Sequence, residues 1–191
     1  MRIKLFICLL YLVGLLSCSE EKKTKTLEKL NIENYSWNSF KVSEMRAEIT
    51  YSAIQLPIEY YVRKNIGVDK QNEIDSLVET MKTERVIIAE FNHLSQKDVL
   101  IDKYTHRSYE DAVKYIASPI YEDYKFVTSS QDTIPCNGVL FERNFNVAPF
   151  KRVLLYFNGV PPDDTGTLLY NDQLFGNGSF SFKLNERPIK N

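Results

Sequence analysis

The chain of 191 residues carries 24 basic and 25 acidic side chains, which gives a formal net charge of −1. Such a balanced charge offers no electrostatic basis for binding nucleic acid or an anionic lipid surface. Twelve tyrosines and eleven phenylalanines favour β-strands, and the length suffices for a domain with its own hydrophobic core.

The first 18 residues have the parts of an export signal. Arg2 and Lys4 precede an apolar run over residues 5–16, which is shorter than the roughly 20 residues of a membrane-spanning helix. The run ends in Leu15-Leu16-Ser17-Cys18, which resembles the lipobox of bacterial lipoproteins. The resemblance implies that residues 1–17 are a cleaved signal peptide. It also implies that Cys18 receives diacylglycerol and a further acyl chain such as palmitate.

The same resemblance implies a location in the cell envelope. We expect a lipid-anchored protein of the outer membrane, whose partner is the bilayer through the N-terminal lipid. Ser19-Glu20-Glu21 resembles the short acidic signal that sends some lipoproteins to the cell surface, so the protein faces either the periplasm or the exterior. Residues 18–34 are polar and rich in Lys, Glu and Thr, which predicts a lipidated, flexible tether.

Cleavage changes the charge and the cysteine inventory. Loss of two basic residues and no acidic one leaves 22 basic against 25 acidic residues, a net charge of −3. Cys8 leaves with the signal and Cys18 is acylated, so Cys136 is the only free thiol of the mature chain. A lone thiol in an exported protein is usually a buried small hydrophobe.

Residues 35–191 predict a single globular α+β domain. In its first half, Ile74, Leu77, Val78 and Met81 have helical spacing, and Pro57 interrupts the strand pattern. The predicted elements are a strand at 48–54, a strand or edge segment at 58–62, a helix from 69 to 81 and a buried strand at 85–94.

The second half is dominated by strands. A helix begins at the capping box Ser108-Tyr109-Glu110-Asp111, and Ser118-Pro119 ends it or adds one turn through Tyr124. Predicted strands follow from Phe126 onward, including 152–157, 167–170 and 179–184, with a turn at 176–178 and a frayed tail at 186–191. The sum is a mostly antiparallel sheet or sandwich of about seven or eight strands with two helices.

The candidate catalytic groups are few. His93 or His106 would form a nucleophilic pair with Cys136 if the fold joined them and a carboxylate, Asp102 or Asp132, oriented the imidazole. Cys136 lies in no recognisable nucleophile motif, so we name no catalytic residue.

Metal and cofactor patterns are also weak. A zinc site from the same two histidines and Cys136 lacks close paired spacing. Asp163-Asp164 with Asp172 lacks the spaced ligand ladder of a calcium loop. Gly176-Asn177-Gly178 lacks the lysine and helix of a phosphate loop. We therefore predict no metal and no cofactor.

Aromatic side chains leave a binding hypothesis open. Exposed aromatic platforms suit sugars or a protein partner, whereas core packing is the alternative for each one. The candidates are Trp37, Tyr60, Tyr61, Tyr121 and Tyr124. We expect an envelope binding or scaffolding module whose partner is another envelope protein or an extracellular ligand. The alternatives are a lipid-anchored hydrolase of envelope or extracellular polymers and a self-protection lipoprotein encoded beside a toxin.

Overall fold

Two antiparallel β-sheets share one hydrophobic core in the computed structural model, which describes residues 23–144, 148–161 and 164–191. The strands are β1 (Lys23–Ile32), β2 (Tyr35–Arg46), β3 (Ile49–Leu56), β4 (Arg85–His93), β5 (Tyr124–Thr128), β6 (Thr133–Pro135), β7 (Gly138–Glu142), β8 (Phe150–Phe157), β9 (Gly166–Asp172), β10 (Gly178–Leu184) and β11 (Ile189–Lys190). The helices are α1 (Ile58–Ile66), α2 (Gln71–Thr80), α3 (Asp102–Thr105) and α4 (Tyr109–Ala117), followed by a 3₁₀ turn at Pro119–Asp123.

The larger sheet has the order β1-β2-β3-β4-β8-β7, and β11 pairs with the start of β2. The smaller sheet has the order β10-β9-β5-β6. The predicted class, a mostly antiparallel sheet with helices, is confirmed. The predicted numbers were too low, because the described residues hold eleven strands and four α-helices.

Aromatic rings join the two sheets. Tyr51 of β3 lies with its ring centroid 4.1 Å from that of Phe180 on β10, and the ring of Phe91 on β4 lies 5.9 Å from that of Tyr170 on β9. All four rings are buried, and each such burial stabilises the fold by about 2 kcal/mol. The aromatic content that predicted strands therefore also supplies the contact between the sheets.

Helix α1 covers the other face of the larger sheet. Ile58 and Tyr61 pack on a second cluster that includes Ile88 of β4 and Leu154 of β8. Because β4 has one face on the aromatic core and the other under α1, its sequence is apolar on both faces. The prediction of a buried strand at 85–94 is confirmed.

The prediction of a strand or edge segment at 58–62 is wrong, because these residues begin α1. Pro57 fits immediately before a helix, and Glu59 pairs with Arg63 one turn later at 2.8 Å. The helix ends at Gly67, whose φ of 90° places it in the region that favours glycine. Packing of the amphipathic face outweighs the β-propensity of the tyrosines in this segment.

Both predicted flexible ends are ordered where the structure describes them. The expected tether is wrong from Lys23 onward, because residues 23–32 form β1 and pair along its whole length with β2. The expected frayed tail at 186–191 contains β11, in which Ile189 and Lys190 pair with Asn38 and Trp37. Edge strands need few apolar residues, which explains why composition alone suggested disorder.

The remaining predicted elements are confirmed in place. They are β3, α2, α4, β8, β9, β10 and the turn at 176–178, each within a few residues of its predicted bounds. Within the described ranges, no helix is long and apolar enough to span a membrane.

Gly166 gives a direct test of the small sheet. A Cβ at Gly166 would clash with the backbone carbonyl oxygen of Val127 and would lie 2.7 Å from two ring carbons of Phe126, closer than side chains approach one another. We expect Gly166→Ala to lower the free energy of unfolding by about 1–3 kcal/mol. The matched control Gly138→Ala meets no atom within 4 Å and should stay within about 0.5 kcal/mol of the parent. Equal effects in urea denaturation would contradict this packing.

Candidate functional site

The structure separates the residues of the hypothetical nucleophilic pair. Cys136 is 5 % exposed, and its Sγ lies 3.2 Å from the carbonyl oxygen of Gly138 and 3.5 Å from that of Tyr156. Burial raises the pKa of the Cys136 thiol, which disfavours the thiolate that a nucleophile requires.

His93 lies at the other end of the larger sheet. Its neighbour Asn92 pairs with Phe150 at the start of β8, whereas Cys136 contacts Tyr156 near the end of that strand. Six strand residues correspond to about 20 Å. His93 therefore cannot act on the Cys136 thiol.

The other predicted partners have local roles. His106 is exposed and terminates α3 in the left-handed conformation, with a φ of 52°. Asp102 accepts the backbone N–H of Lys103 at 2.8 Å, and Asp132 accepts the Ser130 hydroxyl at 2.7 Å. None of these contacts resembles a catalytic arrangement.

Within residues 23–144, 148–161 and 164–191, no three His, Cys, Asp or Glu side chains are grouped to hold a metal ion. Of the hypothetical calcium ligands, Asp163 lies outside the described residues, as does Cys18 at the anchor. Asp164 accepts the backbone N–H of Ser129 at 3.0 Å.

The five candidate aromatics belong to the packing of the domain. Trp37 and Tyr124 are each 2 % exposed. Tyr60 and Tyr61 lie against the cluster under α1, and Tyr121 lies against the main core. Trp37 and Tyr124 are therefore closed to a ligand, whereas Tyr60, Tyr61 and Tyr121 are half-buried and keep part of their surface exposed.

Asp172, the last residue of β9, is a buried side chain that accepts five hydrogen bonds. This carboxylate is 2 % exposed and accepts the hydroxyls of Tyr51 at 2.9 Å and Tyr170 at 2.8 Å. It also accepts hydrogen bonds from three backbone N–H groups, those of Leu174 at 3.1 Å, Phe175 at 2.9 Å and Asn177 at 3.1 Å. The carboxylate thus fixes the loop at 173–177 against the aromatic core.

Gln173 of this loop contacts Arg107, which lines a groove that we call the Arg107 groove. Its volume is about 670 Å³, and its charged and aromatic lining consists of Arg107, Asp111, Lys114, Tyr115 and Arg143. The guanidinium of Arg107 lies 4.1 Å from the ring centroid of Tyr115 and donates to the carbonyl oxygen of Gln173 at 3.1 Å. The lining holds three basic residues and one acid, and Lys114 is paired with Glu110 at 2.8 Å. These five side chains keep an excess of one positive charge, which favours an anion near the two arginines.

Beside this groove, the Tyr115 hydroxyl donates to the carboxylate of Asp123 at 2.9 Å. The pKa of Asp123 is raised to about 6, mainly by burial and also by the charge of Asp172, while the hydrogen bond from Tyr115 acts in the opposite direction. Asp123 and Glu122 line a second pocket of about 320 Å³. The tyrosine therefore links the two cavities.

Sequence reasoning missed this site. The helix prediction places Tyr115 on α4 beside the apolar stripe, but no local spacing relates it to Arg107, Asp123 and Arg143. Folding brings these residues together, and the only sequence signal is an excess of basic residues near a capped helix.

Asp123 makes the free energy of unfolding fall as the pH rises. The folded-state pKa of Asp123 lies above the ordinary 3.8, so the unfolded chain releases this proton more readily than the folded protein does. The free energy of unfolding therefore falls as the pH rises from about 4 through 6. Asp123→Asn keeps an acceptor for Tyr115 and removes the charge. The variant should therefore gain about 1 kcal/mol relative to the parent between pH 4 and pH 7, after allowance for solvent screening.

Urea denaturation of both proteins at the two pH values measures this difference. Tyr115→Phe removes the hydrogen bond that lowers the pKa of Asp123 and should extend the loss of stability to higher pH. Parallel pH profiles for parent and Asp123→Asn would show that the carboxyl has no raised pKa.

Comparison with known proteins adds no family. No family model matches the chain, and neither the curated proteins nor the solved structures contain a match.

Proposed function

We propose that this protein is a lipid-anchored module of the bacterial outer membrane that binds an anionic ligand in the Arg107 groove. The lipobox-like Leu15-Leu16-Ser17-Cys18 supports the anchor. The positive lining of the groove is the single observation that carries the binding function. The domain faces either the periplasm or the cell surface, and its ligand belongs to another envelope component or to the extracellular medium.

The chemistry of the groove selects the ligand class. A guanidinium stacked on an aromatic ring keeps its orientation and presents its remaining N–H groups to carboxylates or phosphates. Arg107 has this arrangement over Tyr115, and Arg143 lines the same cavity. Ligands that carry carboxylates or phosphates, such as acidic sugars, suit an open groove with two arginines in its lining.

Titration with a short oligogalacturonate, a sugar chain carrying carboxylates, tests the binding function. We expect binding that weakens as salt is added, and no binding of a neutral maltooligosaccharide of equal length. Arg107→Ala and Arg143→Ala should each weaken binding about tenfold. Lys183→Ala is the matched control, because it removes an exposed positive charge from β10 outside the groove.

The outcome that would contradict this function is equally specific. If neither arginine variant changes the affinity, or if the neutral sugar binds as tightly as the acidic one, the Arg107 groove is not an anion site.

One observation favours the alternative, a lipid-anchored hydrolase. The pKa of Asp123 is raised to about 6, a value that suits a general acid, and Glu122 lines the same pocket. This alternative predicts cleavage of a polysaccharide by the parent protein and loss of that activity in Asp123→Asn. The binding function predicts no cleavage by either protein.

A further inference from the structure

The distance between the anchor and the folded sheet is short. Strand β1 begins at Lys23, whose backbone is already paired with that of Glu44. Four residues lie between Cys18 and Lys23, and the five steps from one Cα to the next span at most about 18 Å. An acylated Cys18 therefore holds the start of β1 within that distance of the lipid headgroups.

The strand register identifies the end of the domain that lies nearest the bilayer. Lys23 stands in one row with Glu44 and Tyr51, and β4 reaches this row at Phe91. Beyond this row lie residues 45–48, which form the end of β2 and the turn into β3, and residues 94–97, which follow β4. We call these two segments the Leu94 end.

The two segments form one surface. The Leu94 N–H donates to the carbonyl oxygen of Glu48 at 2.8 Å, which joins the segments directly. The opposite end of β1 is the turn at Glu33 and Asn34, roughly 30 Å away along the strand.

The Leu94 end presents apolar side chains to its surroundings. Leu94 is 66 % exposed, the highest value among the large hydrophobic residues of the described chain, and Met45 is 51 % exposed. Lys97 is exposed in the same segment. Leucine and methionine beside a lysine suit the boundary between headgroups and acyl chains, where the apolar parts leave water and the ammonium stays hydrated.

We propose that the Leu94 end faces and contacts the lipid surface that carries the acyl chains of Cys18. This inference rests on the proposed lipidation of Cys18. The short connection sets the orientation, and Met45 and Leu94 make the contact. The turn at residues 33–34 then points away from the bilayer.

Fluorescence quenching in vesicles tests the orientation. The acylated protein, purified from membranes with its buried thiol removed by Cys136→Ala, is reconstituted into phosphatidylethanolamine–phosphatidylglycerol vesicles. A bimane label is attached through Lys97→Cys or, as the matched control, through Asn34→Cys; both positions are exposed. We expect a headgroup spin-labelled lipid to quench the label at position 97 at least threefold more than the label at position 34.

A spacer variant tests the role of the short connection. Insertion of twenty Gly and Ser residues before Lys23 lengthens the connection to a flexible coil of roughly 28 Å. Quenching at position 97 should then fall toward the value at position 34.

The possible failures are distinguishable. If the protein floats with the vesicles but both labels are quenched equally, or position 34 is quenched more, the orientation is wrong and the anchor stands. If the protein does not float and its Cys18 is unmodified, the anchor and the orientation are both overturned.

Discussion

Replacing Asp172 by alanine should lower the free energy of unfolding by about 3–5 kcal/mol. The carboxylate accepts five hydrogen bonds, two of them from the buried hydroxyls of Tyr51 and Tyr170. Each donor left without an acceptor costs about 1–3 kcal/mol, and water that enters the vacated space offsets part of the sum. Folded domains are stable by only about 5–15 kcal/mol, so this single change would remove a large share.

Urea denaturation at pH 7 measures the effect of Asp172→Ala. Tyr51→Phe and Tyr170→Phe each remove one hydroxyl and should cost about 1 kcal/mol. Asp132→Ala is the control for loss of a carboxylate, because Asp132 is exposed; it should cost less than 1 kcal/mol. An Asp172→Ala protein as stable as the parent would show that the network does not hold the loop at 173–177.

The same residue connects the core with the groove. Gln173 follows Asp172, and its carbonyl oxygen accepts a hydrogen bond from the guanidinium of Arg107. Release of the loop therefore removes one contact that fixes this arginine. We therefore regard Asp172 as a positioning residue.

The second large effect concerns the anchor. Cys18→Ala should move nearly all of the protein from the membrane fraction to the soluble fraction and abolish incorporation of labelled fatty acid. Each buried methylene contributes about 0.8 kcal/mol to membrane binding, and several acyl chains at one residue make the attachment stable. Cys136→Ala is the matched control, because it removes the buried cysteine and should leave fractionation unchanged.

Unchanged fractionation of Cys18→Ala would remove the anchor from this account. A shift of Cys136→Ala to the soluble fraction would also contradict the anchor, because this variant keeps Cys18 and its acyl chains.

Periodicity predicted those elements whose packing repeats along the chain. Helix α2 and strand β3 have regular apolar spacing, so their positions followed from the sequence. Residues 58–62 were wrongly predicted as a strand because tyrosines favour strands in general. Only the presence of a sheet beneath α1 makes the helix favourable. Strands β1 and β11 gain their stability from backbone pairing with β2, which leaves no apolar pattern to read.

The candidate site could not be predicted for a related reason. Asp172 and Asp123 are ordinary acidic residues in the sequence, and burial beside Tyr170 and Tyr115 gives them their chemistry. The groups that sequence analysis did select, Cys136 and His93, stand at opposite ends of the larger sheet. Long-range packing decides such relations, and one sequence carries no direct record of it.

The proposed lipid anchor is best tested by mass spectrometry of the N-terminus of the protein purified from its native membranes. We expect a chain that begins at Cys18 and carries diacylglycerol on its sulfur. A chain that still begins at Met1, or one that begins at Cys18 with an unmodified thiol, would contradict it.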